Sequence, residues 1–178
     1  MAKIAFDELR FVVVDDNAHM RRIVRTLLRA FGSREIYEAE DGASGLEAVE
    51  AYSPDILITD IMMPIFDGIE LTRMIRNPDG GRHPFIPIIV LSAYSEKKYV
   101  IEAREAGATE FLCKPVSASA LYRRIQNIIE NPRDFISTKS YFGPDRRRAV
   151  NPNYAGVERR SGDNSIYIVD PNKVALEA

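Results

Sequence analysis

Five short apolar runs alternate with five amphipathic stretches over the first 130 residues. The runs are Phe11-Val12-Val13-Val14, Ile36-Tyr37, Ile56-Leu57-Ile58, Ile88-Ile89-Val90-Leu91 and Phe111-Leu112. Several are β-branched and none alternates with polar residues, as expected of strands buried on both faces of a parallel sheet.

Between the runs the period lengthens to that of a helix. Met20, Ile23, Val24, Leu27, Leu28 and Phe31 fall at offsets 0, 3, 4, 7, 8 and 11, one apolar stripe. Gly32 is placed to end that helix. Asp41-Gly42 opens a second helix with Leu46 and Val49 inward, and Asp67-Gly68 precedes a third with Leu71, Met74 and Ile75 inward. Ser95 reads as the N-cap of a fourth, running to Gly107 with Glu96 near its start. Ser117 caps a fifth with Leu121, Ile125, Ile128 and Ile129 inward, stopped by Asn131-Pro132. Five strands alternating with five helices predict an α/β domain built on a five-stranded parallel sheet with right-handed crossovers.

Charge and composition then divide the chain. Residues 1–130 carry 16 Lys and Arg against 20 Asp and Glu, whereas residues 131–178 carry 8 against 6. Apolar periodicity also fades in the second stretch, where Pro, Gly and Asn collect. The expected organisation is therefore a domain over residues 1–130 and an irregular extension over 131–178. A single cysteine, Cys113, excludes an internal disulfide framework and fits a reducing compartment. No apolar run approaches the roughly 18 residues of a membrane span. Met1 to Arg10 has no apolar signal-peptide core, so the expected location is the cytoplasm.

Open parallel sheets bind ligands at the carboxyl ends of their strands. Strand one ends in Asp15-Asp16, strand three in Asp60 and strand four in Ser92, while strand five runs into Lys114-Pro115. Three converging carboxylates repel one another unless a cation neutralises them. Their hard oxygens suit Mg²⁺, which takes one or two carboxylates and keeps several waters. A lysine and a hydroxyl beside the ion match the needs of a phosphoryl group. The inference from the residues is a Mg²⁺-dependent phosphoryl site with a carboxylate nucleophile. Any one of these residues alone reads better as a helix cap, a turn hydroxyl or surface charge. Their placement at the ends of four strands favours chemistry.

Val13-Val14-Asp15-Asp16, the stretch Ile58 to Gly68, Val90-Leu91-Ser92-Ala93 and Phe111-Leu112-Cys113-Lys114-Pro115 resemble, in order and spacing, the receiver domain of two-component response regulators. The resemblance spans residues 9–130. It implies a flavodoxin-like (βα)5 three-layer sandwich with strand order 2-1-3-4-5, an order taken from the family. It further implies that Asp60 accepts a phosphoryl group from a phosphohistidine on a sensor histidine kinase or phosphotransfer protein. Mg²⁺ would be held by Asp16, Asp60 and the backbone carbonyl of Met62, with Asp15 acting largely through water. Lys114 would pair with a phosphoryl oxygen and Ser92 would bond another after modification. Phe111 would then swing inward and reshape the face of helix four, strand five and helix five. A cis Lys114-Pro115 peptide also belongs to the resemblance. Met62 and Tyr94 occupy the positions that flank the hydrolytic water in the family. A thioether and a phenol offer no good base there, so slow self-dephosphorylation is expected.

Other residues invite simpler readings: Cys113 as a core or semi-core side chain, His19 as a helix-surface histidine and His83 as isolated. In the extension, Tyr141-Phe142-Gly143-Pro144-Asp145-Arg146-Arg147 is echoed by Tyr154-Ala155-Gly156-Val157-Glu158-Arg159-Arg160. The paired arginines Arg146, Arg147, Arg159 and Arg160 point to phosphate or protein contact, with a solvated tail as the plain alternative. Contact with protein, the receiver included, is favoured over nucleic acid, since the segment is too short and poorly patterned for a helix-turn-helix. Ile166 to Val169 is a candidate strand for a partner or a sheet edge.

The expectation is a chemotaxis-like or phosphorelay regulator that signals through a downstream protein target without a DNA-binding output domain. It would catalyse only its own phosphorylation and dephosphorylation, and a dimer through the switching face is a further expectation. Two alternatives differ at strand one. A haloacid-dehalogenase-type Mg²⁺ phosphatase needs Asp-x-Asp, where this chain has Asp15-Asp16. A flavin-binding flavodoxin relative needs a Ser/Thr/Gly-rich loop, where it has Asp15-Asp16-Asn17-Ala18.

Overall fold

The computed structural model describes residues 4–77, 82–138 and 140–146, and the backbone of 167–169. Five parallel strands form the central sheet: β1 (Arg10–Val14), β2 (Glu35–Ala39), β3 (Ile56–Asp60), β4 (Ile88–Ser92) and β5 (Glu110–Cys113), in the order β2-β1-β3-β4-β5. The helices are α1 (Ala18–Phe31), α2 (Gly42–Tyr52), α3 (Gly68–Ile75), α4 (Lys97–Ala106) and α5 (Ala118–Glu130). Alternate strand residues feed two separate cores. Val12, Val14, Leu57, Ile88 and Val90 meet α2, α3 and α4 on one face. Phe11, Val13, Ile58, Ile89 and Leu91 meet α1 and α5 on the other. Burial on both faces explains why these strands read as unbroken apolar runs.

Local chemistry starts and stops the helices. Asn17 accepts the backbone N–H groups of His19 and Met20 to open α1, and Gly32, at φ 112°, closes it. Asp41 with Ser44, and Asp67 with Glu70, form capping boxes on α2 and α3. The fourth helix differs from expectation. It is capped at Glu96, not Ser95, and its cap makes no side-chain hydrogen bond. Met74 and Ile129, read as inward, are 49% and 39% exposed, because each lies at the margin of its helix's apolar stripe. Cys113 is exposed, not part of the core, since the last residue of β5 points out of the sheet.

The extension begins with more regular structure than its composition predicts. Strand β6 (Phe135–Thr138) pairs antiparallel with β7 (Tyr141–Pro144) on one side and with β8 (Tyr167–Val169) on the other. Of the candidate strand, Tyr167–Val169 thus adds to the edge of β6, and Ile166 lies outside the described residues. This small sheet packs on the receiver through aromatic rings: Phe85 lies 5.2 Å from Phe135 and 5.3 Å from Phe142. Beneath them Arg76 is buried, donating from Nε to the Gly107 carbonyl at 2.9 Å and from Nη1 to that of Pro84 at 2.7 Å. Its guanidinium carbon sits 5.0 Å from the centre of the Phe135 ring. Burial lowers the Arg76 pKa to about 9. Arg133 ties the extension to the residue before β5 by donating to the Thr109 carbonyl at 3.1 Å and also reaches the Asp145 carbonyl.

Candidate functional site

Strand register assembles the site. Val14 pairs with Thr59, so the residues that follow, Asp15 and Asp60, emerge side by side at the carboxyl edge. Asp60 pairs with Leu91, placing Ser92 one step further along, and Ser92 pairs with Cys113, which precedes Lys114. The Lys114 N–H donates to the Ser92 carbonyl at 2.7 Å, and the Lys114-Pro115 peptide is cis. The order 2-1-3-4-5 is what makes β1 and β3 neighbours at the point where connections diverge to opposite faces.

Within this edge the side chains converge. Lys114 Nζ lies 2.8 Å from Asp15 Oδ2 and 2.9 Å from Asp60 Oδ2. Carboxylate oxygens of Asp15, Asp16 and Asp60 all lie within 4.8 Å of one another. Asp15 and Asp60 are buried and Asp16 is exposed, so the cluster opens toward solvent on one side. Burial raises the Asp60 pKa and the Asp15 charge adds to the rise, against the opposing pull of Lys114. For Lys114, burial works downward, but its bonds to Asp15 and Asp60 outweigh it and the pKa rises. The lysine therefore stays cationic, and Asp60 sits in a place that resists its negative charge. This donor set suits a small hard divalent cation: hard oxygens, an excess of negative charge over the single lysine, and an open flank for water.

The loops around the cluster are pinned. Asp15 accepts the Asn17 N–H at 2.9 Å, and its carbonyl accepts Arg21 Nη1 at 2.6 Å. Gly68 donates its N–H to the Ile61 carbonyl at 3.0 Å, and a Cβ on Gly68 would fall 1.8 Å from the Asp60 carbonyl oxygen. Glycine is thus required where α3 begins against the end of β3. Ser92 is fully buried, and its hydroxyl donates to the Tyr94 carbonyl and accepts the Tyr94 N–H, each at 3.0 Å. Phe111 is half-buried against the α2–α4 core, while Met62 and Tyr94 are exposed at 53% and 45%. Tyr94 stacks on Tyr99 at 5.0 Å.

Asp15, Asp16, Asp60, Ser92 and Lys114 therefore share one edge, with Met62 and Tyr94 on loops leaving it. Arg146 is elsewhere, with its guanidinium carbon 3.9 Å from the centre of the Tyr141 ring in the extension. Arg147, Arg159 and Arg160 lie outside the described residues. Sequence reasoning missed Arg21, whose signal was only its place one turn into α1 above the acidic pair. It also missed Ile65, which has φ 68° between Pro64 and Phe66, whose carbonyl and N–H are 2.7 Å apart.

A parallel sheet in this order, with an acidic cluster and a lysine at its carboxyl edge, defines a class of small phosphoryl-handling signalling domains. Residues 11–126 match the family described as the response regulator receiver domain, and the chain belongs to that family. It is 34% identical over 122 residues to the chemotaxis protein CheY of Pseudomonas aeruginosa, covering 68% of this chain and 97% of that one. It is 33% identical over 130 residues to CheY-3 of Vibrio cholerae, covering 73% and 98%. Among solved structures, CheY4 of Vibrio cholerae superposes with a TM-score of 0.62 at 28% identity, covering 67% of this chain and 98% of that one. The dehalogenase and flavodoxin alternatives fall away. The described helices include none long and apolar enough to cross a membrane. The chain is a chemotaxis-like receiver of two-component signalling with a further stretch beyond the matched residues.

Proposed function

We propose that Asp60 accepts a phosphoryl group from a phosphohistidine and that the chain signals through protein contact. An Asp60 carboxylate oxygen attacks phosphorus, the phosphorus–nitrogen bond breaks, and the imidazole leaves carrying its electron pair and takes up a proton. Asp16, Asp60 and the Met62 carbonyl would hold Mg²⁺ directly, with Asp15 reaching it largely through water. When bound, the ion supplies positive charge opposite the phosphoryl oxygens. Lys114 supports this reading most directly: a cation already within 3 Å of Asp60 is placed to exchange a carboxylate for a phosphoryl oxygen.

The signal follows from what Ser92 gives up. Its hydroxyl is held by Tyr94 in this state, and turning it toward a phosphoryl oxygen draws the β4–α4 loop inward. Phe111 moves into the space released, and the α4–β5–α5 face changes shape as a population shift. Partners are a sensor histidine kinase or phosphotransfer protein and a downstream protein that reads this face, all in the cytoplasm. Chemistry is confined to the chain's own phosphorylation and dephosphorylation.

The test is incubation with phosphoramidate with and without Mg²⁺, followed by intact mass and peptide mapping. A single added phosphoryl group on Asp60, dependent on Mg²⁺ and absent from Asp60→Asn, is expected. Modification at another residue, or none, overturns the reading.

A further inference from the structure

We propose that the cleft at the amino ends of the strands is a binding site for a small amphiphilic anion, an acyl or aryl carboxylate. This cleft lies at the opposite end of the sheet from Asp60, so the inference stands apart from the phosphoacceptor reading. Its volume is about 480 Å³, within the range of roughly 300–1,000 Å³ typical of small-molecule sites.

The walls are apolar and come from three directions. Ile56 is contributed by the start of β3, Ile86 by the segment leading into β4, Ile128 and Ile129 by the last turn of α5, and Phe135 by the extension. Ile129, 39% exposed, presents a side chain that the receiver's own core does not use. An apolar ligand body would remove that surface from water, at roughly 25 cal/mol per Å².

The polar groups on the wall decide the sign of the ligand. Asp55 is already engaged, accepting the Arg10 N–H at 2.7 Å and lying 3.7 Å from its guanidinium. His83 Nε2 is held by Ser53 Oγ at 3.1 Å. Thr109 gives its carbonyl to Arg133 and its hydroxyl oxygen to the Ile88 N–H. Arg82, an exposed residue of the lining, makes no hydrogen bond or ion pair among the described residues. The lining thus offers an apolar interior and one guanidinium free to pair with an anionic head in bidentate geometry. A cationic or uncharged ligand of the same shape gains nothing from Arg82.

Because Pro132, Arg133 and Phe135 form part of the wall, the site is complete only when the extension is docked. A ligand that binds the docked form stabilises it, and docking reciprocally raises affinity for the ligand.

The experiment is calorimetric titration of the full-length chain with decanoate below its micellar concentration and with 1-naphthoate. Decylammonium serves as the same acyl body with opposite charge. At least one acid is expected to bind saturably at one site, about tenfold or more tighter than decylammonium. Arg82→Glu and Ile129→Asp should each weaken it by about tenfold while the ligand-free chain keeps its folded circular dichroism spectrum. Failure of both acids to bind overturns the proposal. So does equal binding of decanoate and decylammonium, or an affinity unchanged in both variants.

Discussion

Lys114 Nζ bridges two carboxylates from different strands, 2.8 Å from Asp15 and 2.9 Å from Asp60. One cation thus holds together an edge that charge repulsion would otherwise open. Lys114→Met keeps the aliphatic stem and removes the charge, leaving two buried carboxylates facing each other. Without divalent cation the variant is expected to lose about 1–3 kcal/mol, the cost of stranding a buried charged group. Added Mg²⁺ should narrow the gap, which differential scanning calorimetry with and without the ion reads directly. Phosphoryl acceptance from phosphoramidate should fall by about tenfold or more, equal to 1.4 kcal/mol of lost stabilisation.

The raised pKa of Asp60 gives a stability signature with a definite sign. Below the ordinary value of 3.8 the group is protonated in folded and unfolded chains alike and costs nothing. Above its folded pKa the penalty for ionising in a buried, acidic place is complete. Asp60→Asn is therefore expected to melt higher than the parent at neutral pH in metal-free buffer, by about 2–4 °C per kcal/mol relieved. The difference should vanish as the pH falls through the acid range. A melting series from acid to neutral pH checks it, and a difference that grows toward acid contradicts the sign.

The central sheet and the cluster at its carboxyl edge were legible because their causes are local. Apolar runs mark strands buried on both faces, and Asp15, Asp60, Ser92 and Lys114 follow those runs directly. Strand order was not legible from periodicity and came from the resemblance. The extension was the hardest part to read, because its strands are short and their partners distant. Phe135 and Phe142 signal nothing by themselves, and they matter only because Phe85 and Arg76 wait on the receiver. Helix margins failed for a related reason: Ile129 follows α5's apolar period but sits beside a cleft, not beneath a neighbouring element.

The extension's hold on the receiver rests on Phe135, which is buried, lies over Arg76 and meets Phe85. Phe135→Ala is expected to cost about 3–5 kcal/mol, as for other buried aromatic truncations. If receiver and extension melt as one unit, the whole transition moves down. Hydrogen exchange should show faster exchange at Gly107 and Thr109, whose carbonyls anchor Arg76 and Arg133. Exchange at Val12 to Val14 in β1 should stay slow.

Met62 and Tyr94 leave the site edge on separate loops and are both exposed, with no carboxylate or amide to position an attacking water. The aspartyl phosphate should therefore decay slowly. Met62→Asn with Tyr94→Glu supplies an amide and a carboxylate at these two places. It is expected to speed decay by about tenfold or more, a barrier change of 1.4 kcal/mol. Loss of the phosphorylated species over time on phosphate-affinity gels measures it, and equal decay removes any tuning role from these positions.

Opposite responses are expected from two substitutions in the loop between β3 and α3. Ile65 is a β-branched residue at φ 68°, fully exposed, with the Pro64 carbonyl 2.7 Å from the Phe66 N–H across it. That tight positive-φ turn is strained for any residue with a Cβ. Ile65→Gly removes no buried contact and should stabilise the chain by about 1 kcal/mol, the lower end of such strain. Gly68 stands at the other extreme, since its missing Cβ would lie 1.8 Å from the Asp60 carbonyl oxygen. Gly68→Ala must push α3 away from β3 or twist Asp60 out of line, at about 1–3 kcal/mol as for overpacked sites. Paired denaturant titrations read both signs. Because Gly68 abuts the backbone of Asp60, the proposed phosphoacceptor, its variant should also slow acceptance from phosphoramidate, whereas Ile65→Gly should leave that rate unchanged.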